Sequence, residues 1–368
     1  MTISKKSLMG PVKKGFTLIE LMVAMVITTI IVSVLVSITS IALDTWTRSR
    51  SQVSAARQAK AMVDTMASDF QAMVSRSGNN FEWLWAKYST DDLGTETLQS
   101  PNASDLVFFT APTDRYNGDV SSINALGDVA CVAYQLKYQD PILGDVSSLS
   151  DKDVKSFPSF VLYRSIVDPD NTYRDLLGSE DLENSFKRYM DGRSSPENFV
   201  CENVYQYTIT FQVEVNVREA DGTIRSQVGR VTLGQNSNGY REVKLFGNDI
   251  VINGGSASGL NSRTSRSRSL STPTSLRRST GKTRLSSGDL NGKGRAIGAR
   301  GSGSSNQELT LSNLRKGRIA AVEISLTVLT NYATDQMRTR KFKSDADKAD
   351  FIAKNSYEYS KVVELPKR

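Results

Sequence analysis

A run of 28 residues, from 16 to 43, contains a single ionisable side chain, Glu20. A helix of about 20 apolar residues crosses a lipid bilayer, so this run is long enough to span a membrane. A carboxylate costs about 2.5–3.5 kcal/mol at the centre of a membrane helix and less toward the interface. A lone Glu near the start of the run therefore requires a charged partner or a function.

The residues in front of the run are basic at Lys5, Lys6, Lys13 and Lys14. Basic residues next to a membrane helix predict that its N-terminal end faces the cytoplasm. A secretory signal has an apolar core of about 7–15 residues and a small-x-small cleavage site. This run is longer, and residues 40–42 match such a site poorly. A plain single-pass anchor accounts for the length and the basic flank, but not for Gly15 directly before Phe16, nor for Glu20.

The segment 13–21 reads Lys-Lys-Gly-Phe-Thr-Leu-Ile-Glu-Leu. It resembles the N-terminal signature of type IV prepilins and of the pseudopilins of type II secretion. The resemblance implies that a prepilin peptidase and N-methyltransferase cuts between Gly15 and Phe16 and methylates the new amine of Phe16. Glu20 then becomes the fifth residue of the mature chain, where the family carries a glutamate that pairs with the amine of a neighbouring subunit. An ammonium and a carboxylate do stabilise each other in a low-dielectric setting.

Two further segments extend the resemblance. Residues 61–70 and 318–326 are similar to J-type minor pseudopilins, in which a strand like the second closes the head. The overall layout is similar to the Verru_Chthon cassette protein C group of prepilin-like proteins. The Ser/Arg-rich stretch described below departs from ordinary minor pseudopilins.

The apolar run continues as an amphipathic pattern, without Pro or Gly up to residue 77, which predicts one long helix. Alternation of apolar and polar residues then predicts strands at 105–110, 129–138, 160–167, 203–217, 223–233, 240–246 and 319–329. Short helices are expected at 179–190 and 344–354, and an ending strand or tail at 357–365. We therefore expect an α+β fold in which the long helix packs on a mostly antiparallel β-sheet head, as in pilins.

The expected domain organisation has five segments. They are a cleaved leader at 1–15, the long helix at 16–77 with its transmembrane part at 16–43, a β-rich head at 78–253, an insertion at 254–306 and a final head segment at 307–368. The insertion is almost entirely Ser, Gly, Arg, Thr and Asn, which is too poor in apolar groups to offset the entropy of ordering, so we predict that it is disordered. Its ten Lys and Arg residues against one acid, Asp289, account for the net charge of +7.

The composition removes several kinds of chemistry. The chain has no histidine, the commonest general base and metal ligand. We expect no catalytic residues, no cofactor and no metal.

The sequence at 279–283 ends like a phosphate-binding loop, but Leu276 stands where that loop needs a glycine. Asp151, Asp153, Asp168 and Asp170 lack calcium-loop spacing and are better explained as solvated loop carboxylates.

Three features leave alternatives open. Cys131 and Cys201 can form a disulfide outside the cytoplasm, or remain as two buried thiols. The aromatic cluster at 81–88 is explained better by core packing than by a ligand platform. The basic insertion offers a polyanion-binding surface, although nucleic acid is an improbable ligand because the tract has no aromatic residue on which bases stack. The arginines concerned are Arg263, Arg266, Arg268, Arg277 and Arg278.

We therefore expect a structural protein rather than an enzyme. It would be a minor pilin or pseudopilin in the cytoplasmic membrane, with its N-terminus cytoplasmic and its head on the other side. It would assemble with other pilin subunits through its apolar helix, into a secretion pseudopilus or a type IV pilus. The alternative is a membrane-anchored or filament-tip binding module whose basic loop contacts DNA or a surface polyanion.

Overall fold

The fold is known from a computed structural model. It describes residues 17–89, 93–95, 98–111, 129–143, 157–190, 198–218, 223–234, 240–247, 249–254, 275–278, 311–340 and 342–366. By its contacts the chain divides into two compact units, Met1–Ser51 and Gln52–Arg368.

After one long N-terminal helix, the described part of the chain consists of runs of strands with short helices between them. The helices are α1 (Leu18–Gln71), α2 (Pro169–Asn171), a π-helix (Thr172–Leu176), α3 (Leu182–Met190), α4 (Leu311–Arg315), α5 (Asn331–Thr339) and α6 (Asp345–Asn355). The strands are β1 (Glu82–Tyr88), β2 (Gly94–Thr95), β3 (Leu98–Gln99), β4 (Ser104–Thr110), β5 (Ala130–Gln139), β6 (Ser159–Val167), β7 (Phe199–Glu202), β8 (Val204–Arg218), β9 (Ile224–Thr232), β10 (Glu242–Phe246), β11 (Ile250–Asn253), β12 (Ser275–Arg278), β13 (Arg318–Leu329) and β14 (Ser356–Glu364).

The strands form two main antiparallel sheets. The first has seven strands in the order β11-β10-β1-β4-β5-β6-β7, and the second has five in the order β12-β14-β13-β8-β9. Strands β2 and β3 form a separate pair. The long helix together with antiparallel sheets makes the fold α+β and consistent with a pilin-like fold, as the sequence predicts.

The second half of α1 packs into the core of the head and contacts both main sheets. The ring of Phe70 stacks on Phe108 of β4, with 4.4 Å between centroids. On the other sheet, the Tyr207 hydroxyl of β8 donates a hydrogen bond to Met66 Sδ at 3.3 Å. The apolar stripe of α1 is thereby buried, at Ala55, Ala59, Met62, Val63, Met66, Ala67 and Phe70.

Strand β8 is the clearest example of a pattern that predicts burial. Its odd-numbered side chains from Tyr205 to Val217 are all buried. It pairs with β9 on one side and β13 on the other. Since side chains of a strand alternate between faces, one register gives the whole apolar set to the core.

Apart from short elements that were not predicted, such as β7, β11 and α5, the structure differs from the prediction at three places. Helix α1 ends at Gln71 rather than at residue 77, because the next residues bond to β4: the Val74 N–H donates to the Phe109 carbonyl at 2.9 Å. The aromatic segment at 81–88 forms β1, in which Trp83 and Trp85 are buried in the core. Within the segment predicted to be disordered, Ser275–Arg278 form β12 on the outer edge of β14, where backbone groups are available for pairing. The rest of 254–306 lies outside the described residues, except Gly254.

Candidate assembly and processing site

Three hydrogen bonds between Thr17 and Glu20 close the first turn of α1. The Thr17 backbone N–H donates to Glu20 Oε2 at 2.9 Å, and the Thr17 hydroxyl donates to the same oxygen at 2.9 Å. The Glu20 N–H donates back to Thr17 Oγ1 at 3.4 Å. This is a capping box, in which Thr at the N-cap and Glu three residues later satisfy backbone donors that the helix leaves unpaired.

The capping box gives Glu20 a role within its own chain, which the interpretation of the sequence did not include. The signal was present, because Thr followed three residues later by Glu before an apolar run is the pattern of such a box. A carboxylate has about four acceptor positions, so the bonds from Thr17 leave room for a further donor. Gly15 and Phe16, the predicted processing residues, lie outside the described residues.

The helix after Glu20 has an exposed apolar surface. Side chains from Leu18 to Leu43 are exposed, and the most apolar window of α1 has a mean hydropathy of 2.7. By length and composition this helix is able to cross a membrane. Three threonines in this run do not leave their hydroxyls unsatisfied in that apolar setting, because each donates to the carbonyl four residues earlier at 2.8 Å. They are Thr28, Thr29 and Thr39.

A buried ion pair joins α1 to the first sheet inside the head. Arg164 of β6 binds the Asp69 carboxylate with two nitrogens, Nε and Nη2, each at 2.7 Å. The Tyr134 hydroxyl of β5 donates to the same carboxylate. Burial lowers the pKa of Arg164, but its hydrogen bond to Asp69 and the neighbouring charge hold the pKa above its usual value. Both carboxylate oxygens are occupied, so the helix is fixed in register and orientation on the sheet.

Two other buried carboxylates have raised pKa values. Burial raises the pKa of Asp105 to about 6, against smaller lowering effects from Ser89, Gln135 and nearby lysines. Burial also raises the pKa of Glu82 to about 6, although the Leu182 N–H at the start of α3 donates to its Oε2 at 2.7 Å. Lys244 Nζ lies 3.6 Å from the other oxygen of Glu82. These groups give the head a pH-dependent stability.

The two cysteines lie in the first sheet on β5 and β7, with β6 between them. Both are buried thiols rather than a disulfide in the structure, in which both residues are described. Burial raises the pKa of the Cys201 thiol to about 12. Of the two alternatives, the structure contains the second, two buried thiols. Both side chains are part of the apolar core.

The structure describes only some of the remaining predicted site residues. Arg263, Arg266 and Arg268 lie outside the described residues, and Arg277 and Arg278 are on β12. Asp168 is the N-cap of α2 and accepts from the Asn171 N–H at 2.8 Å, while Asp151 and Asp153 lie outside the described residues. Within the part of the chain that the structure describes, no three His, Cys, Asp or Glu side chains cluster as metal ligands would.

Comparison with known proteins identifies the N-terminal segment. Residues 11–36 match the family model described as the prokaryotic N-terminal methylation motif. Neither a curated protein nor a solved structure matches the chain. The motif, together with the long apolar helix that it overlaps, fits a protein of the prepilin or pseudopilin type and confirms the resemblance seen in the sequence. The motif covers the basic residues Lys13 and Lys14, the predicted cut after Gly15, and Glu20.

Proposed function

We propose that the chain is a minor pilin or pseudopilin subunit with a structural role. It would be inserted in the cytoplasmic membrane by residues 16–43, with a cytoplasmic N-terminus and its head on the opposite side. A prepilin peptidase would cut after Gly15 and methylate Phe16. The mature chain would then assemble with other pilin subunits through its apolar helix. The observation that carries this proposal is the methylation motif at residues 11–36, which overlaps the start of an exposed apolar helix.

The capping box supports a specific account of how Glu20 acts before and after assembly. In the single chain, Thr17 supplies two donors to the carboxylate, which offsets part of the cost of placing a charge in the apolar segment. In the filament, the methylated amine of a neighbouring subunit would supply the opposite charge. In a low-dielectric setting, a pair of opposite charges is more stable than either charge without its partner.

A structural role also agrees with the absence of histidine from the chain. Acid–base catalysis most often uses that residue. The buried acids of the head, Glu82 and Asp105, lie among core residues rather than in an open cleft. An enzyme is therefore not the proposed function.

Three substitutions separate the charge of Glu20 from its capping role. Glu20→Gln keeps a side chain that closes a capping box but removes the charge. Glu20→Ala removes both, and Thr17→Val removes the capping hydroxyl while the charge remains. All three variants should enter the membrane fraction. We expect Glu20→Gln and Glu20→Ala to be absent from filaments sheared from the native host, while Thr17→Val is incorporated.

The opposite pattern would contradict the pairing role. If Glu20→Gln is incorporated as well as the wild type, while Thr17→Val and Glu20→Ala are not, Glu20 serves only to cap its own helix. Membrane fractionation of every variant is the control, since a chain that fails to insert cannot report on assembly.

A further inference from the structure

A cavity of about 370 Å³ lies in the head beyond the C-terminal end of α1. Residues 52–71 of α1 extend about 30 Å along the helix axis. The cavity begins at Val74, just beyond this helix, and is therefore far from Gln52. Its walls come from the chain that leaves α1, from the start of β1, and from the π-helix. Small-molecule sites in proteins commonly have about 300–1,000 Å³ and mostly apolar walls.

Aromatic rings form much of the wall. Trp83 is buried at its base, whereas Phe81 and Tyr173 are 39% and 53% exposed. Rings of this size remain in contact with water only at a cost of about 25 cal/mol per Å² of apolar surface. A ligand that covers Phe81 and Tyr173 removes that surface from water.

Hydrogen bonds hold the walls in place without a ligand. Asn79 Oδ1 accepts from Trp83 Nε1 at 3.1 Å and from the Phe81 N–H at 3.2 Å. The Thr172 hydroxyl donates to the Val167 carbonyl at 3.0 Å and accepts from the Cys131 N–H at 3.0 Å. The π-helix is therefore tied to both β5 and β6, and short π-helical turns are frequent at functional sites. A cavity with fixed walls loses little entropy when it binds a ligand.

The cationic side chain of Arg76 lies at the cavity. Arg76 is exposed, and its guanidinium has no ion pair or hydrogen bond with any residue that the structure describes. Asn79 lines the cavity and uses its oxygen for the bonds from Phe81 and Trp83, so its amide N–H groups are the donors that it has left. The Thr172 hydroxyl is already occupied on both sides. An anionic acceptor on the ligand would pair with the Arg76 guanidinium, and a carboxylate matches its planar donors with two hydrogen bonds.

We propose that this cavity binds a small carboxylic acid with an aromatic or branched aliphatic body. The body lies against Phe81, Trp83 and Tyr173, and the carboxylate pairs with Arg76. The proposal does not depend on filament assembly, because every residue in it belongs to the head and is more than 50 positions from Glu20.

The test uses the full chain in lipid nanodiscs and two probes with the same ring and opposite charge. Equilibrium dialysis measures the binding of 2-naphthylacetate and of 2-naphthylethylamine, with empty nanodiscs as the blank for partition into lipid. We expect saturable binding of the acid by the wild type and none of the amine above the blank. Arg76→Gln should weaken binding of the acid about tenfold, and Arg76→Lys should weaken it less.

Two more variants keep the test independent of folding. Tyr173→Ala removes an exposed ring from the wall and should also weaken binding, whereas Arg218→Gln removes an exposed arginine at the end of β8 and should not. The proposal is overturned if the wild type shows no saturable binding of the acid. It is also overturned if Arg76→Gln and Tyr173→Ala both bind the acid as the wild type does, or if the amine binds as tightly as the acid.

Discussion

Replacing Asp69 with Asn should destabilise the head by about 3 kcal/mol, because it leaves the Arg164 guanidinium without its counter-charge. Removing one partner of a buried ion pair typically costs about 3–5 kcal/mol. The Asp69 side chain is 5% exposed and that of Arg164 is 18% exposed. Since water still reaches part of the guanidinium, the lower end of that range applies.

An exposed ion pair of similar length is the matched control. Lys354 Nζ lies 2.6 Å from Asp350 Oδ2, but these side chains are 64% and 59% exposed. Exposed pairs of this spacing on a helix contribute about 0.3–0.5 kcal/mol. Asp350→Asn should therefore cost several times less than Asp69→Asn, although the two pairs have almost the same distance between charged atoms.

The measurement is urea unfolding of the fragment 52–368, followed by circular dichroism, with the free energy of unfolding extrapolated to water. The double variant Asp69→Asn with Arg164→Met should lose less stability than the sum of the two single variants, because it leaves neither charge buried alone. A cost below about 1 kcal/mol for Asp69→Asn, or strict additivity in the double variant, would refute the argument that this pair fixes α1 to the sheet.

Three further outcomes are expected. The fragment 52–368 should fold without the membrane segment, since it is a compact unit with its own core. Cooperative thermal unfolding of the fragment would support this expectation. An aggregated or unfolded product under varied conditions would contradict it. Asp105 has a folded-state pKa of about 6 against 3.8, so it binds its proton more tightly in the folded state. Stability should therefore fall as pH rises from about 4 to 6, by about 3 kcal/mol for this group. In urea unfolding at pH 4 and pH 7, Asp105→Asn should remove this part of the pH dependence, while the part due to Glu82 remains. Replacing 254–306 by a short Gly/Ser linker should change the melting temperature little, because loop closure changes by about 0.6 kcal/mol per doubling of length and β12 is a short edge strand. If the arginines of this segment bind a polyanion, the replacement should abolish salt-sensitive binding to DNA or acidic polysaccharide.

The elements with a strong local pattern were predictable from the sequence. The alternation in β8 and β13 predicted both strands, and Ser344 marked the start of α6, where its hydroxyl accepts from the Asp347 N–H at 3.2 Å. A strand without alternation was missed: β1 is buried over most of its length, so its aromatic residues indicated only a cluster.

Features that depend on distant residues were not predictable. Asp69 looked like one of several charges on the helix, since nothing local shows that Arg164, 95 residues later, meets it. The division of the strands into two sheets and the cavity beside the π-helix also arise from such long-range contacts. The methylation motif was predictable for the opposite reason, because its signal is one contiguous stretch of sequence.

The central claim is that this chain is processed as a prepilin, and the mass of its mature N-terminus tests that claim most directly. The protein is purified from membranes of its native host, digested, and its N-terminal peptide sequenced by mass spectrometry. We predict a peptide that begins with N-methylated Phe16, with residues 1–15 removed. A mature chain that begins at Met1, or one cut near Leu43, would contradict the account.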